Sequence, residues 1–285
     1  MSSGKPLILL SNDDGYRAKG LRSLLGMLSD MADLLVCAPD SPRSGFSCAF
    51  SASSPLSLTL REKDDGLEVW STNGTPVDCV KLALSELCGC RGLSGYSNNP
   101  SEPWLSSLAG GRKPSMVIAG INHGDNASVN SHYSGTMGAT MEGCMKFIPS
   151  VAFSLCDHDL DADFSLMAPI IRKIVGIVLK EGLPQCVCLN VNFPVVEKNY
   201  AGIKVCRMAL GHWGKEVVAR QHPRGGHYYW MVGEYSFEEP KATDTDHWAL
   251  QNGFVAITPT TMDVTAYGAM NSLKGLEDEI LHSSR

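Results

Sequence analysis

The chain has 285 residues, 44% hydrophobic and 19% charged, enough to bury one large α/β core and well above the apolar content at which chains stay unfolded. A formal net charge of -6 argues against an electrostatic grip on nucleic-acid polymers, which needs clustered Lys and Arg, so any phosphate ligand is expected to be small and held locally. No apolar run approaches the roughly 20 residues that span a bilayer, and residues 1–6 lack the features of a signal peptide, which predicts a cytoplasmic protein with no membrane partner.

In chain order, residues 7–10 form an apolar run expected to be a strand, ending in Ser11-Asn12-Asp13-Asp14-Gly15. Leu21, Leu24, Leu25 and Leu28 then recur at i, i+3, i+4 and i+7, which predicts a helix over 20–31. A second strand at 34–38 runs into Pro39-Asp40-Ser41-Pro42-Arg43-Ser44-Gly45. Thr75-Pro76-Val77-Asp78 has the chemistry of a helix start, with Thr75 as N-cap, Pro76 at the first helical position and an acid in the first turn. Residues 88–114, rich in Gly, Ser, Asn and Pro, read as an inserted surface segment. A third strand at 116–119 leads into Gly120-Ile121-Asn122-His123-Gly124-Asp125-Asn126. Ser134-Gly135-Thr136 should open a helix presenting Met137, Met141 and Cys144 on one side. Strands at 151–155 and 187–191 bracket a helix over 164–180, where Pro169 belongs to the first turn. From residue 203 the texture changes to shorter strands, with candidates at 228–231 and 254–257.

Apolar runs without polar alternation are strands buried on both faces. Alternating with helices, they predict an α/β fold: a Rossmann-like, doubly wound, mainly parallel sheet with ligands at the carboxyl ends of its strands. Residues 1–202 would form the core and 203–285 a C-terminal extension packed on it or on a neighbouring subunit. The ten cysteines, several inside apolar runs and without paired C-x-x-C spacing, are expected to be reduced core thiols.

Asp13 and Asp14 fall where the first strand ends. Neighbouring strand side chains point to opposite faces, so the two acids can serve one cation only if the backbone turns, which Gly15 makes easy. Carboxylate, hydroxyl and amide oxygens suit Mg²⁺ or Mn²⁺ rather than zinc. Taken alone the motif is an acidic turn capping a helix. Two further strands, however, end in loops rich in glycine and oxygen ligands, and the helix start at 134–136 is a natural anion site. Such convergence predicts a metal-assisted phosphate site with Asp13 and Asp14 at its catalytic centre, either acid serving as base.

Across nearly its whole length the sequence resembles the SurE-type survival proteins, which are metal-dependent 5'/3'-nucleotidases. The likeness rests on S-N-D-D-G at 11–15, A-P-D at 38–40, R-S-G at 43–45, G-T-P-V-D-C-V at 74–80, A-G-I-N-H-G-D-N at 119–126, Y-S-G-T at 133–136, M-E-G at 141–143, N-V-N-F-P at 190–194 and T-D at 245–246. The resemblance implies a metal held by Asp13, Asp14, Ser44 and Asn122. It further implies phosphate contacts from Asn126, Ser134, Gly135 and Thr136, with Thr75 near the substrate; Asn12 and Gly45 complete the expected binding set. It also implies a C-terminal extension exchanged between subunits, giving a homodimer or homotetramer, and nucleoside 5'- and 3'-monophosphates as substrates. A non-catalytic nucleotide-binding or stress-sensing module, and a phosphatase acting on other phosphomonoesters or short polyphosphate, are the alternative readings. Where the family often has His-Ala-Pro-Gly, this chain has Arg17-Ala18-Lys19-Gly20, adding two cations near the expected phosphate. His123 and His132 flank the site and are either proton donors or ordinary loop histidines.

Overall fold

The computed structural model describes residues 4–89, 107–277 and 280. Its strands are β1 (Leu7–Ser11), β2 (Asp33–Pro39), β3 (Leu58–Asp64), β4 (Leu67–Thr72), β5 (Met116–His123), β6 (Ser150–Leu155), β7 (Val187–Phe193), β8 (Gly202–Val205), β9 (Gly211–Gly214), β10 (Val217–Gln221), β11 (His227–Met231), β12 (Glu234–Phe237) and β13 (Phe254–Thr261). The helices are α1 (Lys19–Leu28), α2 (Pro76–Leu82), α3 (Asn130–Tyr133), α4 (Gly135–Met145), α5 (Ala168–Glu181), α6 (Asp246–Gln251) and α7 (Tyr267–Leu273).

Nine strands form one sheet in the order β3-β4-β2-β1-β5-β6-β7-β13-β8. The six from β4 to β7 are parallel, while β3 and β13 pair antiparallel with their inner neighbours. Every residue of β1, β2 and β6 is buried, as expected of strands covered on both faces. Alternation divides them: Ile8, Leu10 and Val36 face a layer containing Leu21, Leu24 and Leu28 of α1 and Ile171, Val175 and Val178 of α5. Leu7, Leu9 and Leu35 face the opposite layer, with Cys79 and Val80 of α2 and Ala139 of α4. Each leucine that α1 buries contributes roughly 1.5–3 kcal/mol relative to exposure, enough to fix which way the helix faces.

Local chemistry sets the helix ends. Thr75 accepts a hydrogen bond from the Asp78 N–H (3.2 Å) while Asp78 accepts one from the Thr75 N–H (2.9 Å), a capping box. Pro169 lies in the first turn of α5, where its missing N–H leaves no bond unmade. Met137, Met141 and Cys144 of α4 do share one side, packed with Ala152, Cys188 and Met262.

The sheet does not stop at residue 202: β8 and β13 are its last two strands. Between them, β9 pairs with β12 and β10 with β11 as two separate ribbons. Tyr229 and Trp230 of β11 are exposed, and α7 buries none of its side chains. Most of the expected surface insert lies outside the described residues, but Ala109, at its end, is buried in the core. The nine described cysteines are free thiols. Among the described residues no helix is long and apolar enough to cross a membrane.

Candidate metal and phosphate site

From β1 the chain builds outward through β2 to β4, then returns to the other side of β1 to lay down β5, β6 and β7. The winding therefore reverses between β1 and β5, and the loops leaving these neighbouring strands flank the crevice where such folds bind ligands.

At the end of β1, Asn12 closes the turn. Its Oδ1 accepts from the Gly15 N–H (3.1 Å) and its Nδ2 donates to the Gly15 carbonyl (3.0 Å). Gly15 sits at φ +102°, a conformation that side chains disfavour. The turn takes Asp13 and Asp14 out of strand geometry. Asp13 is only 4% exposed, and the Thr136 hydroxyl donates to its Oδ1 at 2.5 Å. Asp14 accepts from the backbone N–H of His123, while its Oδ2 is buried with no hydrogen-bond partner among the described residues. Burial first, then the neighbouring Asp14 charge, raises the Asp13 carboxyl to about 6. Burial also raises Asp14, against the His123 N–H.

Asn122 ends β5. Its Nδ2 donates to the Gly124 carbonyl (2.8 Å), which turns Oδ1 toward Thr136, 3.5 Å from that hydroxyl. The loop after β2 is drawn to the same edge: the Arg43 N–H donates to the Asp13 carbonyl (2.7 Å) and the Ser47 N–H to the Tyr133 carbonyl (3.1 Å). Ser44 and Gly45 lie exposed between these two anchors. Gly135 and Thr136 open α4, whose first N–H groups have no acceptor within the helix.

Other expected contact groups are engaged in holding the scaffold. The Asn12 amide closes its own turn. Thr75 caps α2 and donates to the Ala49 carbonyl (2.7 Å), and Ser134 caps α4 by accepting from Met137 N–H (3.0 Å). Asn126 is buried in an amide network: its N–H donates to Asn192 Oδ1 (2.8 Å), its Nδ2 to Ser154 Oγ (2.8 Å), and its carbonyl accepts from Asn190 Nδ2 (2.7 Å). The Asn-x-Asn polarity inside the otherwise apolar β7 was the sequence signal for this network. Of the histidines, His123 has Nδ1 2.9 Å from the Asp159 carbonyl and its ring edge-on to Phe164, and His132 is exposed. Lys19 donates to the Asp161 carbonyl (2.7 Å), whereas the Arg17 guanidinium lies 5.0 Å from the centre of the Tyr16 ring. Arg61, not singled out by sequence, approaches the same ring at 5.1 Å. Asp246 is likewise structural: fully buried, it accepts from Ser128 N–H (2.9 Å) and Ala209 N–H (2.9 Å).

These residues fit a divalent cation. Two adjacent carboxylates are raised by burial, one carries an oxygen without a partner among the described residues, and an amide oxygen lies 3.5 Å from the hydroxyl bonded to the other, so the donor set is hard and anionic. The described residues contain no cluster of three or more His, Cys, Asp or Glu that could hold a metal, so this candidate depends on supplementing its two acids with amide and hydroxyl oxygens.

The model of the family described as "Survival protein SurE" matches residues 8–215. A protein of Phocaeicola vulgatus named "5'-nucleotidase SurE" is 49% identical over 280 residues, covering 98% of this chain and all of that protein. One of the same name from Bacteroides thetaiotaomicron is 46% identical, covering 96% of this chain and 97% of that one. Among solved structures, the SurE protein of Aquifex aeolicus superposes with a TM-score of 0.76 at 34% identity, covering 95% of this chain and 100% of that one.

Proposed function

Because this chain belongs to the SurE family, we propose that it hydrolyses nucleoside 5'-monophosphates, and 3'-monophosphates with them, to nucleoside and phosphate with the help of Mg²⁺ or Mn²⁺. It is a nucleotidase, a hydrolase of phosphoric monoesters. The observation that carries the chemistry is the carboxylate pair: Asp13 raised to about 6 beside Asp14, whose Oδ2 is buried without a partner among the described residues. Such a pair is unfavourable until a cation neutralises it.

Asp13, Asp14, Asn122 and Ser44 would hold that cation. When bound it supplies the positive charge that phosphoryl transfer requires and acidifies the attacking water. The chain's own residues do the rest. The first N–H groups of α4 bind and orient phosphoryl oxygens. Either Asp13 or Asp14 accepts the proton of the attacking water. The Asn12 and Asn122 hydrogen bonds keep both loops in place before substrate arrives, so little reorganisation is left for the reaction.

Arg17 and Arg61 on Tyr16 favour a second reading of substrate range, toward esters with more than one phosphate. We take the enzyme to be cytoplasmic and to work as a homodimer or homotetramer. A groove of about 560 Å³, lined by Met137, Met141, Met145, Met208 and Met262 among others, supports that assembly, as do the exposed Tyr267, Met270 and Leu273 of α7. Phosphate release from a panel of nucleoside 5'- and 3'-monophosphates, with chelator and then with added Mg²⁺ or Mn²⁺, tests the reading. Full turnover by metal-stripped protein sinks it.

A further inference from the structure

We propose that Thr136 is a positioning residue for the metal ligands and that its hydroxyl is not a phosphate donor; this rests on the nucleotidase reading above. The helix start was expected to contact phosphate as a whole. Its parts, however, have different partners. Thr136 is fully buried, with its Oγ1 2.5 Å from Asp13 Oδ1 and 3.5 Å from Asn122 Oδ1.

A hydroxyl carries one hydrogen. Both neighbours are acceptors, so that hydrogen can satisfy only one of them, and the short contact to the charged carboxylate takes it. Nothing remains on the side chain to donate to a phosphoryl oxygen. Thr136 can still meet phosphate through its backbone N–H, but the side chain faces the metal ligands.

That arrangement controls direction. Holding Oδ1 against α4 stops the Asp13 carboxylate from rotating and leaves Oδ2 as its open oxygen. The Asn122 Oδ1, 3.5 Å away, is a second and longer acceptor for the same hydroxyl, so oxygens from the loop after β1, from β5 and from α4 meet at this point. Thr136 is held by its surroundings: the side chain is fully buried, and its carbonyl accepts from Thr140 Oγ1 (2.9 Å), tying that turn to the next. Partners of metal ligands fixed in this way typically govern affinity by 10–100-fold.

The test compares Thr136→Val, which keeps the shape and removes the hydroxyl, with Thr136→Ser, which keeps the hydroxyl. Two quantities are measured on the full-length protein: Mn²⁺ affinity without substrate, by calorimetry, and KM for adenosine 5'-monophosphate at saturating Mn²⁺. Thr136→Val should weaken Mn²⁺ binding about 10–100-fold, Thr136→Ser should recover most of it, and KM at saturating metal should stay within about twofold of the parent. Parental Mn²⁺ affinity in Thr136→Val together with a raised KM would make the hydroxyl a phosphate donor and overturn the proposal. Equal loss of metal binding in both variants would assign the effect to packing and overturn it too. If Thr136→Val does not fold, Thr136→Ala measured in the same way decides between these outcomes. A parent that binds no Mn²⁺ at all would instead bring down the nucleotidase reading beneath it.

Discussion

A β-carbon placed on Gly135 would stand 2.8 Å from the Cβ of Asp13 and 3.1 Å from its Oδ2. The start of α4 and the loop after β1 therefore touch at a point where only glycine fits. Gly135→Ala must push the carboxylate aside, and displacements near 1 Å can lower turnover by about 100-fold. Gly26, exposed in α1 with open space where its β-carbon would go, is the contrasting case: Gly26→Ala should stabilise the protein by about 1 kcal/mol and leave turnover intact. Steady-state kinetics and thermal midpoints of the two variants check both outcomes.

Asp13→Asn and Asp14→Asn should each cripple phosphate release without unfolding the protein. The metal-free variants should be no less stable than the parent, because each substitution removes one of two neighbouring buried carboxylates. The sign with pH follows from Asp13, raised from 3.8 to about 6 by burial and then by Asp14. A carboxyl that binds its proton more tightly when folded adds stability below pH 4, and that contribution is lost as pH rises through 6. The loss amounts to roughly 3 kcal/mol by pH 7. The stability advantage of metal-free Asp13→Asn over the parent should therefore grow between pH 4 and 7 and shrink when Mg²⁺ or Mn²⁺ is added. Near-normal turnover in both Asn variants would leave the site without its metal.

Thr75→Ala should act on stability. The hydroxyl caps α2 and also fastens the loop after β2 through the Ala49 carbonyl. Losing the cap costs about 1–2 kcal/mol. For a chain of this size the thermal midpoint should fall by at least about 2–4 °C. An unchanged midpoint would mean that the loop has other moorings.

Arg17→Ala should raise KM more for substrates bearing two phosphates than for monophosphates, with kcat within about twofold of the parent. A cation that meets only the second, non-reacting phosphate binds ground state and transition state alike. The opposite pattern, an unchanged KM with collapsed kcat, would place Arg17 in the transition state.

Sedimentation at micromolar concentration should show a dimer or larger species. Truncation after Met262, which deletes Tyr267, Met270 and Leu273, should shift the protein toward monomer. A monomeric parent would refute the assembly.

Much of this architecture could be read from the sequence where signals are local. Unbroken apolar runs at 7–10 and 34–38, and the run at 151–155 interrupted only by Ser154, are strands buried on both faces. Thr75-Pro76-Val77-Asp78 determines a helix start within four residues. The β3–β4 hairpin escaped because β3 is an exposed edge strand reading Leu-Thr-Leu-Arg-Glu-Lys-Asp, whose charges protect the edge and mask the strand pattern. At the site, adjacent acids at a strand end pointed to the carboxylate pair. Whether the amide of Asn12 or Asn126 faces ligand or scaffold depends on Gly15 and on Ser154, Asn190 and Asn192, and local spacing does not encode those choices. The contact between Thr136 and Asp13 joins residues 123 positions apart, so it exists only in three dimensions.

The clamp between Ser128 and Asp246 sets a timetable. Ser128 closes the loop that follows β5, yet the carboxylate that receives its N–H lies 118 residues further along the chain. Ribosomes add roughly 5–20 residues per second, so the clamp becomes available on the order of ten seconds after the loop it secures has been synthesised. Asp13 and Asp14 emerge earlier still. The finished loop is thus a late product of biosynthesis, and a nascent chain truncated before Asp246 carries both acids without the brace that completes their surroundings.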